Sequence, residues 1–547
     1  MALVINTNLS SLRAQLNLNK TQSSLSTSLE RISSGSKINS PRDDAAGLAI
    51  SQRLTAQISS LRKAIGNAGD AVSFVQSADS ALEGVSASLL EIQSLAVQAS
   101  KASQSPTDRG LLNNYVLTKK QEINRLAEEA EFNGKKMLTG KIVNAEFQVG
   151  LRSEQVIRLS IPLVSAFNIG NYSTTTDNTR EFAIGAARQG ELQGEAPINF
   201  VQAQSITIRG VSSGPSGAIV GIREGESAKS IAEKVNSVEA QTGVTAAATT
   251  YVTLENLFGA DVGGEGQKIS FQLYGLNAKV FGDQGGDDQV SNAVSISAQI
   301  TDDTEDGLRD LVSAINDQVG VTGIRARVVG IRDEETGLDV GAIALENGGV
   351  NISIEKFRND RIPGAGEDPA SIQPDKTDIT VRGINGSEFV VLEENSDTDS
   401  VTVGGVVKFN SFKAFTVTSD AEESTSLFFS GSAESGSQTS NFTSLSSVSL
   451  STEETTKEAL LIATSALDFI SSLRADLGAI QNRFVSAVTN LESVVENTRT
   501  AQSRILDADF AEETAQLTRA QVLQQAGIAI LAQANTIPQA VLALLRT

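Results

Sequence analysis

The sequence predicts a multidomain α plus β chain. Terminal α-helical coiled-coil and bundle domains are formed by both chain ends, with a β-hairpin, and central α+β outer modules are inserted between them. Two observations carry this reading. Residues 1–175 and 448–547 are rich in Ala, Leu, Ser and Gln, with apolar residues at helical spacing. The middle is rich in Gly, Asp, Thr and Val and alternates over short segments. A length of 547 residues exceeds what one core organises, so three or more domains are expected.

Leu9, Leu12 and Leu16, then Leu25, Leu29 and Ile32, form the first amphipathic stretch, interrupted by Gly35 and closed by Pro41. Asp43-Asp44 then caps a long helix. Its seam runs Leu54, Ile58, Leu61, Ile65, Val72, Val75, Leu82, Val85, Leu89 and Ile92, with Ala68 and Asp79 in the gaps, in the three-and-four rhythm of a heptad. To residue 100 it spans on the order of 85 Å. A shorter helix, near 107–130, follows Ser-Pro. Phe132-Asn133-Gly134-Lys135 reads as a turn, since Asn-Gly tolerates positive φ. Alternating segments at 146–149 and 156–161 read as a hairpin. Near the other end, Leu467, Ile470, Leu473, Leu477, Ile480, Phe484, Leu491 and Val494 form a second long seam. A final stretch after Ser503 carries Val522, Leu523, Ile528, Leu531, Val541, Leu544 and Leu545. These terminal stripes are thin, nearly free of aromatics, and lie where a lone chain frays, so they read as faces that fold on assembly.

The middle holds a diverged repeat. Ile231–Asn236 precedes Thr242-Gly-Val-Thr-Ala246, and 80 positions later Leu311–Asn316 precedes Thr322-Gly-Ile-Arg-Ala326. Leu-Glu-Asn follows in both, at 254–256 and 345–347. Ser205-Ile-Thr-Ile-Arg-Gly210 recurs as Asp378-Ile-Thr-Val-Arg-Gly383. A strand–helix–strand module used twice, with a partial third copy, accounts for the shared order. The Ser/Thr-rich stretch 424–451 reads as a flexible return into the second seam, with hydroxyls open to O-glycosylation.

Composition removes whole classes of chemistry. There is no His and no Cys, hence no disulfide, no Cys/His zinc site and no Ser–His or Cys–His dyad. Any catalysis would run on carboxylates, Lys, Ser/Thr or Tyr, and aromatics at 4% are thin for a ligand-pocket enzyme. The clusters Asp302-Asp303, Asp287-Asp288 and Asp333-Glu334-Glu335 read as solvated turns. The loop 282–288 lacks an EF-hand pattern. Net charge is −21, and residues 176–447 carry all of it, with 40 acids against 19 bases. A neutral packing region and an acidic middle suit a crowded polymer that must stay soluble. No basic stripe points to nucleic acid. No run reaches the roughly 18 apolar residues of a membrane span. No secretory signal is visible after Met1, so the chain reads as cytoplasmic unless a dedicated apparatus exports it.

Three segments resemble the hallmark segments of bacterial flagellins: RISSGSKINSPRDDAAGLAIS (31–51), EFNGKKML (131–138) and SRILDADFAEETAQLTRAQVLQQAGIAILAQANTIPQ (503–539). The repeat around Asn236 and Asn316 is similar to an insertion motif of many flagellin middles. The resemblance implies a filament subunit for swimming motility, exported unfolded without a cleavable signal and polymerised at the distal tip, with no enzymatic activity and no cofactor. Residues 1–42 with 505–547 would form an inner coiled-coil core. Residues 43–175 with 448–504 would form a helical bundle with a hairpin. Residues 176–447 would project outward as modules near 200–270 and 290–357, with a partial third near 375–447.

Roles carried over by the resemblance place Leu9, Leu12, Leu16, Leu531, Val541 and Leu545 in the packing of the inner tube. Arg42, Asp43 and Asp44 fall at subunit contacts. Partners would be further copies of the chain, an export chaperone on the final segment, and cap and junction proteins. The surface that an animal innate receptor reads in many flagellins corresponds to Leu90, Glu91, Gln93, Leu95 and Tyr115. Here Glu91 replaces an Arg and Tyr115 a Glu, so weak receptor activation is expected. A hook–filament junction protein is the nearest rival reading. An adhesive role for the middle, or a carboxylate-pair glycosidase within it, stays open at this level.

Overall fold

The computed structural model describes residues 8–545 except 102–103, 177–182, 191–196, 259–265, 278–292, 303, 333–338, 362–377, 384–388, 395–397, 423–425 and 429–435. Side chains of 331–332, 339–340, 361 and 537–545 are also left aside. The clusters at 287–288 and 333–335, Asp303 and the whole 282–288 loop therefore lie outside the described residues, as do the side chains of Val541 and Leu545.

Three helices open the chain: α1 (Leu9–Ser34), α2 (Ala45–Ala99) and α3 (Pro106–Glu129). Two hairpins follow, β1 (Glu131–Phe132) with β2 (Lys135–Lys136), and β3 (Thr139–Gln148) with β4 (Val156–Leu163). Strands β5 (Gly170–Thr175) and β6 (Ala187–Gln189) lead to the first repeat copy. That copy is β7 (Gln204–Arg209), β8 (Ala218–Ile222), α4 (Ala228–Ser237), α5 (Glu239–Thr242) and β9 (Thr245–Glu255). The second is β10 (Gln267–Tyr274), β11 (Val294–Ile300), α6 (Arg309–Asn316), α7 (Val319–Thr322) and β12 (Arg325–Arg332), continued by β13 (Asp339–Asn347). Next come β14 (Ile352–Arg361), β15 (Ile379–Arg382), β16 (Phe389–Leu392) and β17 (Val401–Val403). Strands β18 (Val406–Ser411), β19 (Thr416–Ser419), β20 (Ser437–Thr439) and β21 (Asn441–Ser444) complete the middle. Helices α8 (Glu453–Leu506) and α9 (Phe510–Leu545) close the chain.

The chain divides into two compact units. One comprises Met1–Leu82, Glu128–Leu163 and Leu473–Thr547. Within it, Ile58 and Leu61 of α2 pack with Val495 of α8, flanked by Ile65 and Leu491. The second seam thus ends on Val495, while Val494 is exposed. Steps of four, three and four from Phe484 reach 495 by way of 488 and 491, and the seam follows that rhythm. Asp79, the polar gap in the first seam, accepts from Arg474 Nε at 2.7 Å. The scarcity of aromatics is only local: Phe74, Phe132, Phe147 and Phe484 meet with ring centroids 5.6–5.9 Å apart. Hairpin β3–β4 is longer than its alternation suggests. Its register shifts between Ile142 and Ala145, where Asn144 takes φ 49° and its N–H turns to Ser160 Oγ.

The other unit comprises Glu83–Ala127 and Val164–Ser472. Its largest sheet runs β12-β13-β9-β18-β5-β21, with β15 beside β9 and β16 beside β15. A five-stranded sheet runs β11-β10-β14-β17-β6, and a four-stranded one β20-β19-β7-β8. Ile206, Ile208, Ile231, Val235, Val244 and Phe409 share the core of the first copy. Phe271, Leu273, Leu311, Ile315, Ile324 and Phe357 share that of the second.

The two copies use one local device. Asn236 donates from Nδ2 to Ala246 O at 3.0 Å and accepts from Ala246 N at 2.7 Å. Asn316 does the same with Ala326, at 2.9 Å both ways. The side chain thus substitutes for a strand partner where helix gives way to strand. Opening strands also match. A Cβ on Gly210 would sit 2.0 Å from Thr242 O, and one on Gly275 would sit 2.1 Å from Thr322 O, so each strand ends on a glycine. The second copy therefore opens with β10, which the 80-residue shift does not find, because β10 and β11 are joined by a longer segment. The recurrence at 378–383 is β15, which pairs β9 and β16 without a helix of its own among the described residues.

The Ser/Thr-rich return is a correction. Its described part holds β20, β21 and a 3-10 turn at Leu445–Ser447, with Phe428, Leu445 and Leu450 fully buried. Lys120, 6% exposed, fastens it by donating to Ser446 O at 2.9 Å and Val448 O at 2.6 Å. Burial pushes this ammonium's pKa down, and the two carbonyls are its compensation. Replacing Asn236 by Ala should destabilise its module by about 1–2 kcal/mol. Hydrogen exchange should show protection lost at the Ala246 amide but kept at Ala326, with the converse for Asn316→Ala.

Candidate assembly site

The first unit brings the two chain ends together. Helix α1 begins at Asn8, whose Oδ1 accepts from Ser11 N, and ends at Gly35 with φ 69°, a left-handed cap that closes the helix where an interruption is expected. It runs antiparallel to α9. Asn8 Nδ2 donates to Ala534 O at 2.8 Å, Gln524 Nε2 to Gln22 Oε1 at 2.6 Å, and Arg31 pairs with Glu513 at 2.9 Å. Small residues make the seam: Ser11, Ala14 and Ser28 on α1, Ala520 and Ala534 on α9. Gly527 lies against Leu18.

Leu18, Leu25 and Leu517 are half-buried along that seam, but other large side chains point away from it. Leu9, Leu12 and Leu16 are 59%, 57% and 57% exposed, and Val522, Leu523, Ile528 and Ile530 are exposed on α9. Leu531 is partly buried. Within one chain these leucines pack no core. Full burial of each such side chain is worth about 1.5–3 kcal/mol, and more than half of that stays unclaimed.

Both helical ends break at one level. Lys37 N donates to Leu506 O at 2.6 Å, Ala508 N donates to Gly35 O at 3.0 Å, and Ser36 and Asp507 form a β-bridge. Asp43 Oδ2 accepts from Ser40 N at 2.8 Å and Asn39 N at 3.1 Å, tightening the turn before α2. Asp44 Oδ1 accepts from Gly47 N at 2.9 Å and is the helix cap. Arg42 is exposed and makes no ion pair among the described residues. The residues expected at subunit contacts are thus two local caps and one uncommitted cation. Sequence reading missed Arg31 and Glu513, whose pairing across 482 positions carries no local signal.

The receptor-equivalent surface lies in the second unit. Leu90 and Tyr115 are 54% and 53% exposed. Glu91 pairs with Lys119 at 2.5 Å, and the Lys119 ammonium sits 5.5 Å from the Tyr115 ring centroid. The hydrogen bond to Glu91 raises the Lys119 pKa. Gln93 Nε2 donates to Thr464 Oγ1 at 3.1 Å, and Leu95 is partly buried. Lys119 went unnoticed in the sequence because only the packing of α3 beside α2 gives it a role.

Among the described residues no group of three acids could hold a metal, and no helix is long and apolar enough to cross a membrane. Asp302 accepts from Thr304 N at 2.9 Å and shapes a turn. Paired terminal helices with an uncovered apolar face, joined in sequence by a β-rich middle, define a structural subunit suited to assembly with copies of itself.

Comparison with known proteins specifies the kind. Residues 5–142 match the bacterial flagellin N-terminal helical region, 460–545 the C-terminal helical region, and 205–254 the flagellin hook IN motif. Over 100% of both chains the sequence is 35% identical to the B-type flagellin of Pseudomonas aeruginosa and 30% identical to the flagellin of Salmonella typhimurium. The solved structure of FliC from Burkholderia pseudomallei is 16% identical, covering 76% of this chain and 99% of that one at a TM-score of 0.26. The chain belongs to the bacterial flagellin family, the structural proteins of the flagellar filament. The hook IN motif falls on the first repeat copy, and the second shares its asparagine device.

The hydrogen bonds from the Ser40 and Asn39 amides, then the Ser40 hydroxyl, hold the Asp43 carboxyl below its ordinary value of 3.8. A depressed folded-state pKa gives stabilisation that is present above the ordinary value and lost as pH falls through the lowered one. Amide protection at Asn39 and Ser40 should therefore stay level from neutrality down to the ordinary carboxylate range and collapse only below it. Asp43→Asn should weaken protection at every pH. Asp44→Ala should cost about 1 kcal/mol, read as fraying at the start of α2.

Proposed function

We propose that this chain is exported unfolded and polymerises at the distal tip of an extracellular flagellar filament that drives swimming. Residues 1–42 with 505–547 form the inner core in this reading, and 43–175 with 448–504 form the surrounding bundle. Residues 176–447 project outward. The observation that carries it is the leucine face of α1: Leu9, Leu12 and Leu16 are exposed, turned from α9, and await neighbouring copies. Leu531, Val541 and Leu545 belong to the same tube wall. Arg42, Asp43 and Asp44 lie at lateral subunit contacts, and the two carboxylates also shape the turn there. The concentration of negative charge in 176–447 supports their solvated position. The absence of cysteine suits threading of an unfolded chain through a narrow channel.

The final segment is also the site for an export chaperone, which would mask Phe510, Val522, Leu523 and Ile528 before secretion. Cap and junction proteins meet the same ends. Activation of the innate receptor is weak, because Glu91 presents a carboxylate already engaged by Lys119.

Electron microscopy of seeded monomer tests assembly. Long tubes of uniform diameter with a bristled surface are expected. Persistent monomers, or short caps on added filament ends, would favour a junction protein. Leu12→Gln with Leu16→Gln should raise the critical concentration at least about tenfold, given about 1.4 kcal/mol per decade, while helical circular dichroism of the monomer is unchanged. In a cell reporter assay the wild type should be weak. Full potency would reject the receptor reading.

A further inference from the structure

A cleft of about 400 Å³ lies between the two repeat copies. The turn between β8 and α4 lines it from the first copy, the end of β10 lines it from the second, and β14 with β17 and the segments 197–198 and 350–351 contribute the rest. Neither the assembly surface nor the receptor-equivalent surface uses it.

Its polar side is built from the core outward. Asn199 is 1% exposed and fully committed: Oδ1 accepts from Val201 N at 3.1 Å, while Nδ2 donates to Glu226 O and to Asn351 Oδ1, both at 3.0 Å. Because backbone groups fix the Asn199 amide, Asn351 must receive through its oxygen. Its Nδ2 is left as a donor with no partner among the described residues, and Asn351 lines the cleft. Glu226 lines it too, with its side chain 9% exposed. Its carboxylate is oriented by Arg223 N at 2.8 Å, Ser230 Oγ at 2.5 Å and Lys234 Nζ at 2.7 Å. Burial alone would raise the Glu226 pKa, but these bonds outweigh it, and the net shift is downward. The hydroxyls of Ser353 and Thr402 share one hydrogen bond at 2.7 Å, which leaves one O–H proton to donate.

These groups discriminate among ligand classes. With Glu226 balanced by Lys234, Glu224 and Glu355 still outnumber Arg223 on the lining, which opposes an anion. A hydrocarbon would strip water from the Asn351 amide and the carboxylates without replacing it. A vicinal diol donates and accepts at each carbon and offers a C–H face to Ile198, Leu276 and Val350, which also line the cleft. The volume lies in the ordinary range for a small-molecule site, roughly 300–1,000 Å³. We propose that this cleft binds a neutral saccharide of one or two rings, held by Asn351 and the carboxylates between the repeat copies. Access to it in the filament rests on the outward projection of the middle modules.

Saturation-transfer NMR on the full chain, as monomer and as filament, tests this with galactose, N-acetylglucosamine and maltose at millimolar concentration. Sialic acid and glucosamine serve as anionic and cationic controls. At least one neutral probe should be saturated. Asn351→Asp, which keeps the bond from Asn199 but removes the donor, should weaken binding about tenfold. Leu276→Trp at the exposed rim should abolish it, and thermal melts of both variants should match the wild type. Saturation of no neutral probe, equal binding by wild type and both folded variants, or tighter binding of a charged control overturns the proposal. Binding by monomer but not by filament supports the cleft and counts against the outward position of the middle.

Discussion

Two helices from opposite ends of a 547-residue chain must find each other, and the way they do so decides what the remaining surface is for. The most buried positions of the α1–α9 seam are small, Ser11, Ala14, Ser28, Ala520 and Ala534, with Leu18, Leu25, Leu517 and Leu531 only half-buried beside them, so the backbones approach while little apolar area is buried. A leucine seam would have satisfied the pair by itself and left a polar exterior. The seam with small residues at its closest positions does the reverse, leaving Leu9, Leu12 and Leu16 on the outer face. The β-bridge between Ser36 and Asp507 sets the register of this pair and ends both helices at the same level. Arg31 with Glu513 adds a partly buried ionic contact, the glutamate side chain being 7% and the arginine side chain 25% exposed. With two charges withdrawn from water, that contact contributes more to register than to stability.

Much of this was legible in the sequence where structure follows a period. The heptad seams of α2 and α8, the Asn133-Gly134 turn and the capping role of Asp44 all follow from local chemistry, and each has its counterpart in the fold. The diverged repeat was visible because its helix and following strand are tied by an asparagine that needs a fixed ten-residue spacing. Its opening strand was missed because nothing fixes the length between β10 and β11. What could not be read was anything requiring two distant segments. Leucine spacing on α1 announces a face but not which way it turns. Glu91 announces a departure from a family pattern but not its Lys119 partner. The return at 436–451 looked flexible because Ser and Thr dominate it, yet Leu445, Val448 and Leu450 bury themselves and Lys120 reaches across to bind its carbonyls.

The middle is a different solution to stability. Its modules place a helix on a sheet around Ile, Val, Leu and Phe side chains, so each has a core of its own. Charge is spent outside these cores, where carboxylates occupy turns and strand faces. A surface can vary on such modules while the asparagine device and the glycine at the end of each opening strand keep the backbone in place.

The reach of the hydrogen bonds has a kinetic consequence. The asparagine locks span ten residues, whereas the bond from Asn8 to Ala534 spans 526. Ring closure over these distances costs roughly 2 and 5.5 kcal/mol of chain entropy. Local rings close first in folding, and every module that forms shortens the contour left between the ends. The middle is therefore a splint: by contracting before the termini meet, it lowers the entropic barrier to their encounter. Lengthening an unstructured connector there should slow end pairing even where no contact is lost.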